Sequence, residues 1–146
     1  QVRMAYEQTR QSNELARQET SRTNIITFIT EQQRLFATPE DAAFMHKSLY
    51  TSERLTIEEK VRLTFALGMM IGLFEVAFTT NQAGLFRNID YARAIDAVRL
   101  VYLSSPRVRK WWSQTKIAYA ENPEIVALID KIAAEFEAPE RKDAVG

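Results

Sequence analysis

The sequence predicts an all-α protein, a compact bundle of about five to six helices with a long protruding N-terminal helix. Three observations carry that expectation. A capped and almost wholly apolar stretch runs from Thr56 to Thr80. Helix-start signals recur, with proline at the first helical position after Thr38, Ser105 and Asn122. Strand-like alternation is nearly absent, and only four glycines interrupt the 146 residues.

The first segment, 1–36, reads as one helix with two different halves. Up to Asn24 it is polar, and Arg3, Glu7, Arg10, Glu14 and Arg17 alternate in sign at steps of three and four. Each such pair contributes about 0.2–0.5 kcal/mol to an isolated helix. The a and d positions of a coiled coil would hold Gln8, Gln11, Ser12, Gln18 and Arg22, so no regular apolar seam is present. Ile25, Ile26, Phe28, Ile29, Leu35 and Phe36 then supply a docking stripe. We therefore expect a stalk or docking helix over 1–24, a bundle over 25–138 and a disordered tail over 139–146.

Thr38-Pro39-Glu40-Asp41 starts a short helix that reaches about Tyr50 and carries His46, the only histidine. Thr56 and Glu59 form a capping box for the central helix. From Val61 to Phe78 apolar residues fall on nearly every side of the wheel, which predicts a helix surrounded by its own protein. Its uninterrupted apolar run is Phe65 to Phe74, and Glu75 breaks the longer one, so a buried core helix is favoured over a span of about 20 apolar residues. Asn81 to Gly84 ends it. Asp90 is expected to cap a helix to about Leu103, Ser105-Pro106 starts the helix carrying Trp111 and Trp112, and Asn122-Pro123 starts the last. There, Ile125, Leu128, Ile129, Ile132 and Phe136 make an amphipathic stripe.

Composition narrows the function classes. Lys+Arg and Asp+Glu are both 19, so no overall field favours nucleic acid or an acidic membrane surface. The absence of cysteine removes disulfides, thiol catalysis and cysteine-ligated metals. One histidine cannot supply two Glu-x-x-His motifs, and no phosphate-binding glycine loop, HExxH or GxSxG is present. We expect no catalytic residue, cofactor or metal, and read His46 as a surface or hydrogen-bonded histidine.

Two stretches stand out as contact candidates. Thr64, Gly68, Gly72, Glu75 and Thr79 share one helix face. Two glycines in a helix interior cost about 1 kcal/mol each relative to alanine, so close packing is expected there. Glu75 reads as a salt bridge to Arg62, Arg87 or Arg93, as a residue at the core's rim, or as part of a partner interface with Gly68 and Gly72; a catalytic acid is the remaining alternative. With Arg10, Glu14 and Arg17 of the stalk, these are the partner-interface candidates. Arg107, Arg109 and Lys110 open a helix N-terminus, where the dipole favours anions, and are anion-binding candidates; otherwise the three are solvated.

Gly84-Leu85-Phe86…Ile89-Asp90, Ser105-Pro106-Arg107…Trp111-Trp112 and the closing Ile125-Val126-x-Leu128-Ile129 helix resemble a loose class of small bacterial membrane proteins. The Gln/Arg/Glu-rich start resembles their juxtamembrane stalk. The resemblance implies a helical domain of unknown function behind a single N-terminal transmembrane anchor, with no active-site residues to carry over. It implies membrane attachment only through an anchor upstream of Gln1, and a start at Gln1 suggests a trimmed or processed product. Arg3, Arg10 and Arg17 would then point to the cytoplasmic side.

The sequence thus favours a non-enzymatic interaction domain, an accessory, scaffold or regulatory subunit of a membrane-associated complex, with a protein partner or self-association and no nucleic acid. The alternative is a small-ligand sensor with a pocket around Phe65, Phe74, Tyr102 and Trp111.

Overall fold

The computed structural model describes residues 1–143, with side chains as far as Glu137. It is all-α, and no strand occurs among the described residues. The helices are α1 (Val2–Arg34), α2 (Pro39–Tyr50), α3 (Ile57–Gln82), α4 (Asn88–Ala97), α5 (Pro106–Thr115) and α6 (Pro123–Asp143). A π-helix (Val98–Leu103) continues α4, and a 3-10 turn (Lys116–Tyr119) follows α5. The stretch expected as a tail, 139–146, is helical as far as Asp143, and its last three residues lie outside the described ones.

The start signals act as their chemistry requires. Thr38 and Ser105 each accept from the backbone N–H three residues on, with proline at the next position of the helix. Both halves of the Thr56–Glu59 capping box are made, at 3.0 and 3.1 Å. Gly84 ends the α3 turn with φ 75°, a conformation an L side chain rarely adopts.

Residues 1–19 of α1 are exposed, and the helix meets the body where Ser21, Ile25 and Phe28 become buried, one helical face at steps of four and three. At 1.5 Å per residue the uncovered part is about 27 Å long. The junction is polar. Ser21 Oγ donates to Asp90 Oδ2 at 2.9 Å and accepts from the Arg87 backbone N–H at 2.7 Å. Asp90 is fully buried and does not cap α4, since Arg87 holds the N-cap position. Its carboxylate instead takes two hydrogen bonds from the Arg87 guanidinium, at 2.7 and 3.2 Å, while Arg93 stands at 3.9 Å. Aspartate at the start of a helix ordinarily serves as its cap; here the side chain turns inward and holds α1 through Ser21.

Arg87 hydrogen bonding, joined by Ser21 and by the charges of Arg87 and Arg93, holds the Asp90 carboxyl below the ordinary aspartate range against the opposing effect of burial. A depressed folded pKa stabilises the fold above the unfolded value of about 3.9, and that contribution is lost as pH falls through the folded value. Asp90→Asn should therefore lower the melting temperature at neutral pH, by an amount corresponding to about 2 kcal/mol. The gap to the parent should narrow in thermal melts below about pH 4. A gap that stays constant from pH 7 to pH 3 would contradict the assignment.

Candidate interaction surface

One side of α3 is the middle of the core: Leu63, Ala66, Leu67, Met70, Ile71, Phe74 and Ala77 are buried at helical spacing. The opposite side is bare. Val61, Phe65, Met69 and Val76 are 52%, 76%, 43% and 64% exposed, and Gly72 and Thr79 lie exposed among them. These positions recur at steps of three and four, so they form one stripe. No charged residue falls within it from Val61 to Val76, because Arg62 and Glu75 sit on its two edges.

This overturns the expectation of a helix enclosed by its own protein. An all-round apolar wheel predicts enclosure because each apolar face needs a neighbour. In this fold, neighbours cover only the side turned to the other helices. By length and composition α3 could cross a membrane, but only 39% of its most apolar window is buried within the chain. That proportion describes a helix half core and half surface.

The glycines are likewise not where an internal neighbour presses close. A Cβ on Gly72 would meet nothing within 4 Å, and one on Gly68 would meet only the Tyr119 hydroxyl, at 4.0 Å. Glu75 is half-buried at the rim. None of its expected arginine partners reaches it: Arg62 pairs with Asp41 at 2.5 Å, and Arg87 and Arg93 with Asp90. Burial raises the Tyr119 hydroxyl pKa, and the nearby Glu75 carboxylate adds to the rise. Thr64 and Thr79 are exposed on the same side.

The stalk candidates are separate from this surface in sequence and position. Arg10, Glu14 and Arg17 are all exposed on the uncovered part of α1. Glu14 accepts from Gln18 at 3.5 Å, and Arg3 and Glu7 make a 4.0 Å ion pair. Such pairs between exposed groups contribute little.

Two of the three anion-binding candidates, Arg107 and Arg109, hold backbone carbonyls. Arg107 donates to the backbone carbonyls of Lys47 and Ser48, at 3.3 and 3.1 Å, and to that of Glu53. Arg109 is buried, donates to the Leu103 and Ser104 carbonyls at 2.9 Å, and stacks on Phe136 at 5.5 Å. Each guanidinium thus satisfies carbonyls left over where α2 or the π-helix ends, which is why these two are not solvated as expected. Lys110 is exposed. It lines a cleft of about 980 Å³ with Arg54, Lys60, Arg107 and Trp111. His46 is exposed, its ring 6.1 Å from that of Tyr50.

The four aromatics suggested for a ligand pocket do not meet around one cavity. Phe74 is fully buried and Phe65 points outward. Trp111 lines the cleft beside Lys110, whereas Tyr102 lines a second, apolar cleft of about 570 Å³ with Phe28, Ile29 and Phe36. Trp112, rather than Trp111, fills the core, and its ring N–H donates to Asp130 at 2.8 Å.

Sequence reasoning missed Val61, Phe65, Met69 and Val76 as surface residues. The available signal was the cluster of Gly68, Gly72, Thr64 and Thr79, which marks the bare side. Since Gly72 has open space beside it, Gly72→Ala should stabilise the isolated chain by about 0.5–1 kcal/mol through helix propensity. Chemical denaturation of the dilute protein checks this, and destabilisation would show that the site is closely packed within the chain. Comparison with family models, with curated proteins and with solved structures finds no match for this chain.

Proposed function

We propose that this chain is a non-enzymatic interaction domain, an accessory, scaffold or regulatory subunit, whose contact surface is the outer face of α3. One observation carries the reading: an uncharged apolar stripe, with Phe65 76% exposed at its middle, is left bare on the helix that also forms the core. A contiguous exposed apolar patch of several hundred Å² is often a functional contact site. Glycine at two positions of that stripe admits a second backbone to close range, at the cost in helix propensity already noted.

The uncovered part of α1 is the complementary element. A polar helix of this kind gains little stability from itself, and helical stability in proteins comes mainly from packing. Its role here is to hold the body away from an attachment point. Attachment to a membrane is what the resemblance to single-anchor proteins implies, and Arg3, Arg10 and Arg17 would then set the domain on the cytoplasmic side. Anchoring by sequence upstream of Gln1 would leave the α3 face available to a protein.

The test is purification of the native, full protein from gently solubilised membranes, as parent and as Phe65→Glu. The parent should elute as a stoichiometric assembly and the variant as a folded single chain with unchanged helical content. A parent recovered alone as a monomer would overturn the reading.

A further inference from the structure

The stripe on α3 has an internal order. About a point midway between Gly68 and Met69, Phe65 is as far to one side as Gly72 is to the other. Val61 and Val76 are likewise equidistant, as are Glu58 and Thr79. A two-fold axis through that point would run a second α3 antiparallel to the first. Each such pair would then be brought opposite itself, as an isologous contact requires.

We infer that the occupant of this face is a second copy of the chain, with the two α3 helices antiparallel about an axis between Gly68 and Met69. The inference rests on the reading of the α3 face as a contact surface and names its partner. In this register the largest exposed side chain lies over the position with most room. Phe65 of each copy sits above Gly72 of the other, where nothing lies within 4 Å in the single chain. Val61 packs on Val76. At each end the Thr79 hydroxyl donates to the Glu58 carboxylate, so no like charges are opposed.

A parallel pair lacks this fit. It would set Phe65 against Phe65 and Glu58 against Glu58, opposing bulk to bulk and charge to like charge. Area sets the strength of the pairing. Val61, Phe65, Met69 and Val76 expose on the order of 400 Å² of apolar surface per copy. Two copies would bury about 800 Å² of it in total, the size of a weak, transient association. The pairing is therefore concentration dependent.

Sedimentation velocity on the purified chain, from about 1 to 200 µM, reads the association directly. The mass should rise from the 16.8 kDa monomer toward twice that value. Gly72→Leu should weaken pairing at least about tenfold by filling the space for Phe65. It should do so without disturbing the monomer, where that space is empty. Phe65→Glu should do the same by a different chemistry.

Because the chain has no cysteine, single replacements test the register. Met69→Cys lies next to the axis and should form a disulfide-linked dimer under mild oxidation. Val61→Cys should not, since the two copies of residue 61 would stand about 22 Å apart along the helices. Cross-linking of both would mean a parallel pair and overturn the proposal. A chain monomeric at every concentration would overturn it too, as would α3-dependent binding of the monomer to anionic lipid vesicles. If the chain is monomeric but Phe65→Glu still dissolves the native assembly, self-association fails while the broader interaction reading stands.

Discussion

Leu63, Leu67, Met70, Ile71 and Phe74 make α3 the wall against which α1, α2 and α4 are set. Each large apolar side chain fully removed from water contributes about 1.5–3 kcal/mol. These five therefore supply a large part of what orders the neighbouring helices. The constraint works in both directions. A helix of ten or so apolar residues in succession has more faces than its neighbours cover here, so the side away from them must meet solvent or another molecule. The core and the proposed contact surface are two sides of one helix.

Polar closure at helix ends fixes the joints of the body around the apolar core. Arg107 and Arg109 turn back to carbonyls that end α2 and the π-helix, tying the start of α5 to both. A guanidinium has donors enough to serve two or three carbonyls and retains its charge when buried, which suits it to such joints. Ser21, Arg87 and Asp90 do the equivalent for α1, at the point where the exposed stalk meets the body. The uncovered part of α1 is thus aimed by one buried carboxylate at the junction, together with the buried Ile25 and Phe28 just beyond it.

The all-helical class, the element starts at Thr38, Thr56, Ser105 and Asn122, and the buried stripe of α6 were legible because caps and 3.6-residue periodicity are local properties. What was not legible depends on which elements become neighbours. Phe65 and Phe74 look alike in sequence, yet one is exposed and the other buried, because the hydrophobic pattern of α3 is nearly featureless. Only the glycines and threonines marked its outer side. Arg107 carried the signature of an anion site, and no local rule reveals that the Lys47 and Ser48 carbonyls, about sixty residues away, engage it. Ser21 sat unremarked in a polar stretch, and its meeting with Asp90 across 69 residues is a product of topology alone.

Two adjacent methionines give the most direct check on the division of α3 into core and contact face. Met69 is 43% exposed and Met70 1%. Oxidative footprinting of the protein, read by mass spectrometry in its native assembly and as dilute purified chain, should modify Met69 in the dilute chain and protect it in the assembly. Met70 should be protected in both. Equal modification of Met69 in the two states would contradict a contact on this face, and ready modification of Met70 in the folded chain would contradict the placement of α3 itself.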